Sequence, residues 1–313
     1  MDIYYDFRKV PRATGPGRVV ALGFFDGVHL GHQSLLGLAA GKEACSGGGA
    51  LTFWPHPLNL LRPGEAPPLL MSLESKERAM AGLGLQFLAV QPFTRDFAEL
   101  SPERFFREVL LDGLGAQTIV VGFNFSFGAG GAGTAAWLVE EAQRSGVQVL
   151  VMPPVTIEGE LVSSSAIREH IRAGRVEQAA TLLGRRFAVR GVVQRGDGRG
   201  HTIGFPTANV VYPAGIVVPA AGVYVVEATV RGRLLRGVAN IGRRPTFYGR
   251  TAQAPTSLEV YLFDFSGDLY GVEMEVHFGH FLRPERAFPS VEELVGQIRN
   301  DTAAAAKWFS KPS

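Results

Sequence analysis

The stretch RVVALGFFDGVHLGHQSLLGLAA, residues 18–40, decides the fold of the first half of the chain. Its apolar opening, RVVALGFF (18–25), reads as a short buried strand, and GHQSLLGLAA (31–40) reads as the helix that follows. Between them Gly23, Gly27 and Gly31 let the backbone turn sharply and approach a ligand without a Cβ in the way. A helix start supplies free N–H groups and the positive end of the helix dipole, which favours phosphate. His29 and His32 are three residues apart, so one helical turn projects both imidazoles from the same side. There they can stabilise charge that builds on a phosphate during displacement. In isolation the pair reads equally as surface histidines; a three-ligand metal site with His56 is a lesser reading. The glycines directly after a strand favour a nucleotide.

Working outward, GALTFW (49–54), LQFLAVQPF (85–93), QTIVVGF (117–123) and VQVLVM (147–152) continue the series of strands. Helical patterns at PERFFREVLLDGL (102–114) and TAAWLVEEAQR (134–144) lie among them. Buried strands separated by amphipathic helices predict a doubly wound α/β domain, a parallel sheet covered on both faces. Ligands of such sheets bind outside the carboxyl ends of the strands. After two more helical stretches, 165–173 and 175–183, the texture changes. FAVRGVVQ (187–194), GVYVVEATV (222–230), LLRGVANI (234–241), SLEVYLFDF (257–265) and GVEMEVHF (271–278) are strands joined by turns. They predict an antiparallel sheet or closed barrel, followed by a helix over 290–309. The expected division is therefore 1–185 and 186–313, at GRRF, with no internal repeat.

Composition removes several classes of function. The chain has 313 residues, 46% hydrophobic and 19% charged, which suits two globular domains and excludes extensive disorder. A net charge of +2 gives no support to a nucleic-acid binder. No apolar run reaches the roughly 18 residues of a membrane span, and the first residues lack the order of a secretory signal. One cysteine, Cys45, allows no intrachain disulfide, so a reducing cytoplasm is expected. Of the five lysines, neither Lys42 nor Lys76 follows a G-x-x-x-x-G run, so any nucleotide is handled without a Walker-type lysine.

In the second half GDGRGHTIGFPTANV (196–210) is a glycine-rich turn entering a strand. Thr207 and Asn209, two apart, point the same way when extended. A hydroxyl and an amide oxygen are hard ligands suited to Mg²⁺, although PTAN alone reads more readily as a turn before a strand. In SLEVYLFDF, Leu258, Val260 and Leu262 share one face, while Glu259, Tyr261, Phe263 and Phe265 share the other. A carboxylate among three aromatics is expected to be desolvated and to suit a general base; the plainer reading is a salt-bridged glutamate at a sheet edge.

GFFDGVHLGH (23–32), TFWPHPLNLL (52–61), SLESKERAMAGLGLQFLAVQPF (72–93), GFNFSFGAGGAGT (122–134) and VSSSAIREHIRAG (162–174) resemble the FMN adenylyltransferases of the HxGH nucleotidyltransferase superfamily. PTAN, GVYVVEA, GVANIGRRPTF (237–247), LEVYLFDFSGDLYG (258–271) and FLRPERAF (281–288) resemble riboflavin kinase in order and spacing. The whole chain is similar to the bacterial bifunctional riboflavin kinase/FAD synthetase family. The resemblance implies a Rossmann-like first domain and a six-stranded barrel. It implies that riboflavin is phosphorylated by ATP to FMN and that FMN is adenylylated to FAD. Both steps use Mg²⁺, with FMN and FAD as products rather than prosthetic groups.

Residue by residue, it implies that His29 and His32 act at the α-phosphate of ATP. Gly23, Phe24, Asp26, Gly27, Asn124, Ser164, Ser165 and Arg168 would complete that ATP site. In the barrel Glu259 would be the base, Thr207 and Asn209 the Mg²⁺ ligands, and Gly198, Gly200, Pro206 and Arg283 contacts to ATP or flavin. The uncharged stretch GAGGAG (128–133) is expected to be a flexible loop. Two alternatives stay open at this point: a kinase with weak adenylyl transfer, and a non-catalytic flavin- or nucleotide-binding regulator. Oligomeric state is not legible.

Overall fold

Six short strands of the first half line up in parallel. In the computed structural model they are β1 (Asp2–Tyr4), β2 (Arg18–Leu22), β3 (Gly48–Trp54), β4 (Phe87–Pro92), β5 (Ala116–Gly122) and β6 (Gln148–Met152). The structure describes residues 1–13, 15, 17–41, 47–196, 200, 203–243 and 256–311. Spatial order is β1-β4-β3-β2-β5-β6, and every neighbouring pair is parallel. The chain runs one way from β2 through β3 to β4 and the other way through β5 to β6. The switch point therefore falls between β2 and β5, where open α/β sheets leave a crevice at their carboxyl ends.

The period of two along each strand builds two cores. Val20, Leu22, Leu51, Ala89, Ile119 and Val121 face one layer, which includes the buried Phe105, Phe106, Val109 and Leu110. Ala21, Ala50, Leu88, Val90 and Val120 face the other, with Leu35, Leu36 and Ala39 of α1 (Leu30–Ala40) and Met80 of α2 (Leu73–Ala81). The predicted helix at 102–114 is α-helical only over Pro102–Arg104 and has π-helical turns over Phe105–Gly113. α3 (Ala135–Arg144) adds Leu138 and Ala142 to that layer. Backbones meet closely between α1 and β3: a Cβ at Gly48 would stand 1.5 Å from the Ala39 carbonyl oxygen.

By its contacts the chain divides into two compact units, Met1–Ser164 and Ser165–Ser313. The helices α4 (Ser164–Arg172) and α5 (Val176–Leu183) are consequently described, beyond Ser164, with the second unit. There they lie against a closed antiparallel barrel of β7 (Ala188–Gln194), β8 (Ala208–Val211), β9 (Gly222–Val230), β10 (Arg233–Arg243), β11 (Thr256–Leu262) and β12 (Glu273–Arg283). Barrel order is β7-β8-β11-β10-β9-β12, closing on β7. Ala220 N–H donates to the Ile171 carbonyl at 3.3 Å, Glu177 pairs with His280, and Gly174 approaches so near that a Cβ would lie 3.1 Å from the Tyr224 hydroxyl. The final helix, α6 (Val291–Phe309), packs Ala305, Trp308 and Phe309 against Val223, Val225 and Val238. Among the described residues no helix is long and apolar enough to cross a membrane.

Candidate active sites

In the first unit the turn after β2 departs from ordinary backbone at three successive points. Phe25 and Val28 hold φ of 55° and 41°, and Gly27 holds 82°. Left-handed φ is sparsely populated by a bulky or β-branched residue, so the surroundings must enforce it. Of the three glycines, only Gly27 supplies a turn that needs glycine. Gly23 and Gly31 make room for rings instead: a Cβ at Gly23 would lie 2.8 Å from the Phe25 ring, and one at Gly31 3.3 Å from the His29 ring. Asp26 is buried; its carboxylate accepts the Leu70 N–H at 3.0 Å, and its carbonyl accepts the Ser164 hydroxyl at 2.9 Å.

His29 is buried and is the N-cap of α1, its Nδ1 accepting the His32 N–H at 3.3 Å. That bond places the proton of a neutral His29 on Nε2, leaving Nε2–H as a donor. The His32 ring stacks on it, centroids 3.6 Å apart and planes at 16°, as the three-residue spacing predicts. Phe25 meets the His32 ring edge-on at 5.3 Å. His32 is half-buried, and its Nδ1 is enclosed and meets no hydrogen-bond partner among the described residues. Burial first, then the charges of His29 and Lys76, holds the His32 imidazole well below its usual range, so it is neutral at pH 7. A neutral His32 stacked on His29 at a helix start suits an anionic phosphate that gains charge during reaction.

Phe24 begins the same turn, with the His56 ring edge-on at 4.4 Å. His56 caps Pro57–Leu61 with its own Nδ1, and no three His, Cys, Asp or Glu groups gather to hold a metal among the described residues. Asn124 is exposed at the carboxyl end of β5, on the switch-point side. Ser165 and Arg168 fall in the second unit, Arg168 being buried there. The stretch expected to be a flexible loop forms the turn of a short hairpin. Ser126 and Phe127 pair with Thr134 and Gly133, the Phe127 ring covers Gly133, and Gly128, Gly130 and Gly131 take φ of 73°, 64° and 71°.

In the barrel, one row of the strand register collects the chemistry. Asn209 of β8 pairs with Glu259 of β11, Glu259 with Asn240 of β10, Asn240 with Val223 of β9, and Val223 with Arg283 of β12. Register partners on adjacent strands share a face, so the row brings Asn209, Glu259, Asn240 and Arg283 to one side. That side lines a cavity of about 800 Å³ with Gly200, Phe205, Thr207, Tyr261 and the α6 residues Leu294, Ile298 and Asp301. The opposite faces, Leu258, Val260, Leu262 and Val210, are buried. Of the three aromatics expected around Glu259, Tyr261 lines the cavity, while Phe263, which packs on Phe309, and Phe265 both lie past the strand, which ends at Leu262 before a turn in which Asp264 holds φ of 51°.

Thr207 and Asn209 both face the cavity, as their spacing predicts. Gly196 and Gly200 form a cradle beside them: a Cβ at Gly196 would fall 2.2 Å from Asn209 Nδ2, and one at Gly200 3.2 Å from Thr207 Oγ1. This donor set, a hydroxyl and an amide oxygen near a carboxylate, fits Mg²⁺ that keeps waters and phosphate oxygens as its other ligands. Pro206 stands between the lining residues Phe205 and Thr207 and is not itself a lining residue. Gly198 lies outside the described residues. Arg283 is held by α6: its Nε and Nη2 donate to Asp301 at 3.0 and 2.8 Å, and Gln297 Nε2 donates to the same carboxylate at 2.7 Å.

Sequence reading missed Asn240, Asp301, Lys76 and Thr52. Lys76 and Asp301 carry a signal, since each puts a charge on an apolar helical stripe (Leu73, Lys76, Met80; Leu294, Ile298, Asp301, Ala305). Asn240 and Thr52 carry none.

Residues 12–166 match the family model described as FAD synthetase, and residues 183–309 that described as riboflavin kinase. The bifunctional riboflavin kinase/FMN adenylyltransferase of Bacillus subtilis is 40% identical, covering 93% of this chain and 92% of that protein. The protein of the same name from Escherichia coli K12 is 36% identical, with 100% of both chains covered. A solved structure from Streptococcus pneumoniae, described as a macrolide-efflux protein, superposes with a TM-score of 0.87 at 33% identity, covering 98% of each chain.

Proposed function

Because the chain belongs to the bifunctional riboflavin kinase/FMN adenylyltransferase family, we propose that its barrel phosphorylates riboflavin to FMN and its parallel-sheet unit adenylylates FMN to FAD. ATP is the co-substrate of both steps. We assign the adenylyl step to residues 1–185 and the kinase step to 186–313, an assignment supported by the spans of the two family matches. With one cysteine in the sequence, we place the enzyme in a reducing cytoplasm.

The register row Asn209–Glu259–Asn240–Val223–Arg283 is the observation that carries the kinase reading. Glu259 takes the proton of the ribityl 5′-hydroxyl as that oxygen attacks the γ-phosphate of ATP and ADP leaves. Thr207 and Asn209 would hold Mg²⁺, which supplies charge neutralisation to the phosphates. Arg283, fixed by Asp301, presents its remaining donors and its positive charge to the cavity.

In the adenylyl step a phosphate oxygen of FMN attacks the α-phosphate of ATP and pyrophosphate leaves. The His29 Nε2–H and the neutral His32 ring stabilise the charge on the α-phosphate, assisted by the α1 N-terminus. Gly23, Phe24, Asp26 and Gly27 form the turn that presents them, and Asn124, Ser164, Ser165 and Arg168 are assigned to the ATP phosphates.

The test is chromatographic, with ATP, Mg²⁺ and either riboflavin or FMN. Glu259→Gln should stop FMN formation and leave FMN-to-FAD conversion intact, while His29→Asn should do the reverse. Parental rates in both variants would refute the two residue assignments. FMN accumulation by the parent chain without FAD would leave only the kinase.

A further inference from the structure

The Phe24 carbonyl begins the strained turn and accepts two buried side-chain donors. Lys76 Nζ of α2 reaches it at 2.6 Å and Thr52 Oγ1 of β3 at 3.0 Å. Both donor residues are almost wholly enclosed, Lys76 at 1% and Thr52 at 0% exposure. The ammonium also lies over the Phe24 ring at 4.0 Å and the Trp54 ring at 5.7 Å. Immediately beyond that carbonyl the backbone enters the left-handed region at Phe25, whose buried ring meets His32, which stacks on His29. Contacts thus run unbroken from the two donors, through one carbonyl and one ring, to both histidines.

We propose that Lys76 and Thr52 are positioning residues for adenylyl transfer: together they clamp the Phe24 carbonyl and so hold the turn that aims His29 and His32. The inference rests on the reading that this histidine pair acts at the α-phosphate. A well-packed apolar side chain would fill the place of Lys76 without a desolvated charge. Burial drives the Lys76 ammonium down to about 8, even though Asp26 and Glu77 pull the other way. A group that is costly to bury, bonded at the point where backbone strain begins, fits a role in the site better than one in the core.

The experiment uses the full chain, so riboflavin phosphorylation serves as an internal control. Lys76→Met removes the ammonium, Thr52→Val replaces the hydroxyl with a methyl of the same shape, and Thr52→Ser keeps the hydroxyl but loses the methyl. For FMN adenylylation, kcat should fall about 100-fold in Lys76→Met and about tenfold in Thr52→Val, the size of loss that small misplacements of catalytic groups produce. KM for ATP and FMN should stay within about threefold, and Thr52→Ser should keep the parental kcat. Neither Lys76→Met nor Thr52→Val should lower the unfolding temperature, whereas Thr52→Ser should, because it leaves a cavity.

Parental kcat in Thr52→Val overturns the clamp, and so does loss of both activities in step with stability. If Lys76→Met fails to fold, the two Thr52 variants decide. His29→Asn runs alongside. If it abolishes adenylylation while the Lys76 and Thr52 variants do not, the clamp alone falls. If it too keeps parental kcat, the histidine reading falls and the clamp with it.

Discussion

Lys76→Met should stabilise the first unit, by an amount that depends on pH. Lys76 titrates at about 8 rather than its ordinary 10.5, chiefly because burial desolvates the ammonium. At 1.36 kcal/mol per pH unit, the folded state carries a penalty of about 3 kcal/mol wherever the group is charged in both states, that is, below pH 8. Methionine has no charge to desolvate and nearly the same reach, and the Phe24 carbonyl keeps its bond from Thr52. Allowing about 1 kcal/mol for the lost hydrogen bond, the variant should gain about 2 kcal/mol at pH 7.

The sign with pH follows from the lowered folded value. Between pH 8 and 10.5 the unfolded chain binds more protons than the folded one, so the parent gains stability as pH rises and the variant does not. The gap should therefore close across that window. Urea unfolding at pH 7, 8, 9 and 10 would measure it in a Trp308→Phe background, where Trp54 and Trp137 alone report the first unit. A variant less stable than its parent at pH 7, or a gap equal at pH 7 and 10, would refute the reasoning.

The pair of half-buried Arg283 and buried Asp301 predicts that Asp301→Asn lowers kcat/KM for riboflavin phosphorylation at least about tenfold while FMN adenylylation is unchanged; barrel stability should fall by about 2–3 kcal/mol in urea melts. Gly48→Ala would press a Cβ into the Ala39 carbonyl, only 1.5 Å away, and should cost more than about 4 kcal/mol, seen as loss of soluble, folded protein by circular dichroism. His32 is held neutral by burial, so its contribution to stability is complete above its unfolded pKa near 6.5 and is lost as pH falls below that. Unfolding of the first unit should accordingly become easier from pH 7 to 5, and His32→Asn should weaken that slope; an unaltered slope would contradict it.

Much of this was legible because burial writes itself into strands. The parallel sheet appears as runs such as RVVAL and TIVV, buried on both faces, and the barrel strands appear between short turns. The three-residue strand Asp2–Tyr4 is too short to show a period and was invisible. The histidine pair announced itself by its spacing and its glycines, although two of those glycines serve ring packing, which no local rule distinguishes from ligand approach. GAGGAG reads as loose because glycines carry no packing signal; the ring that covers one of them comes from Phe127, outside the stretch. The row from Asn209 to Arg283 could not be read at all, since pairing between strands separated by tens of residues is set by tertiary register.

The way α4 and α5 lie against the barrel bears on how such a gene should be divided. A cut at the change in sequence texture, near residue 186, would hand the barrel over without its two covering helices. It would uncover the Tyr224 and Phe281 side chains that face Gly174, and deprive His280 of Glu177. A sticky apolar face of that kind invites self-association during expression. A fragment that begins at Ser164 carries its own cover and is the piece to take when the barrel is to be expressed separately or grafted onto another protein.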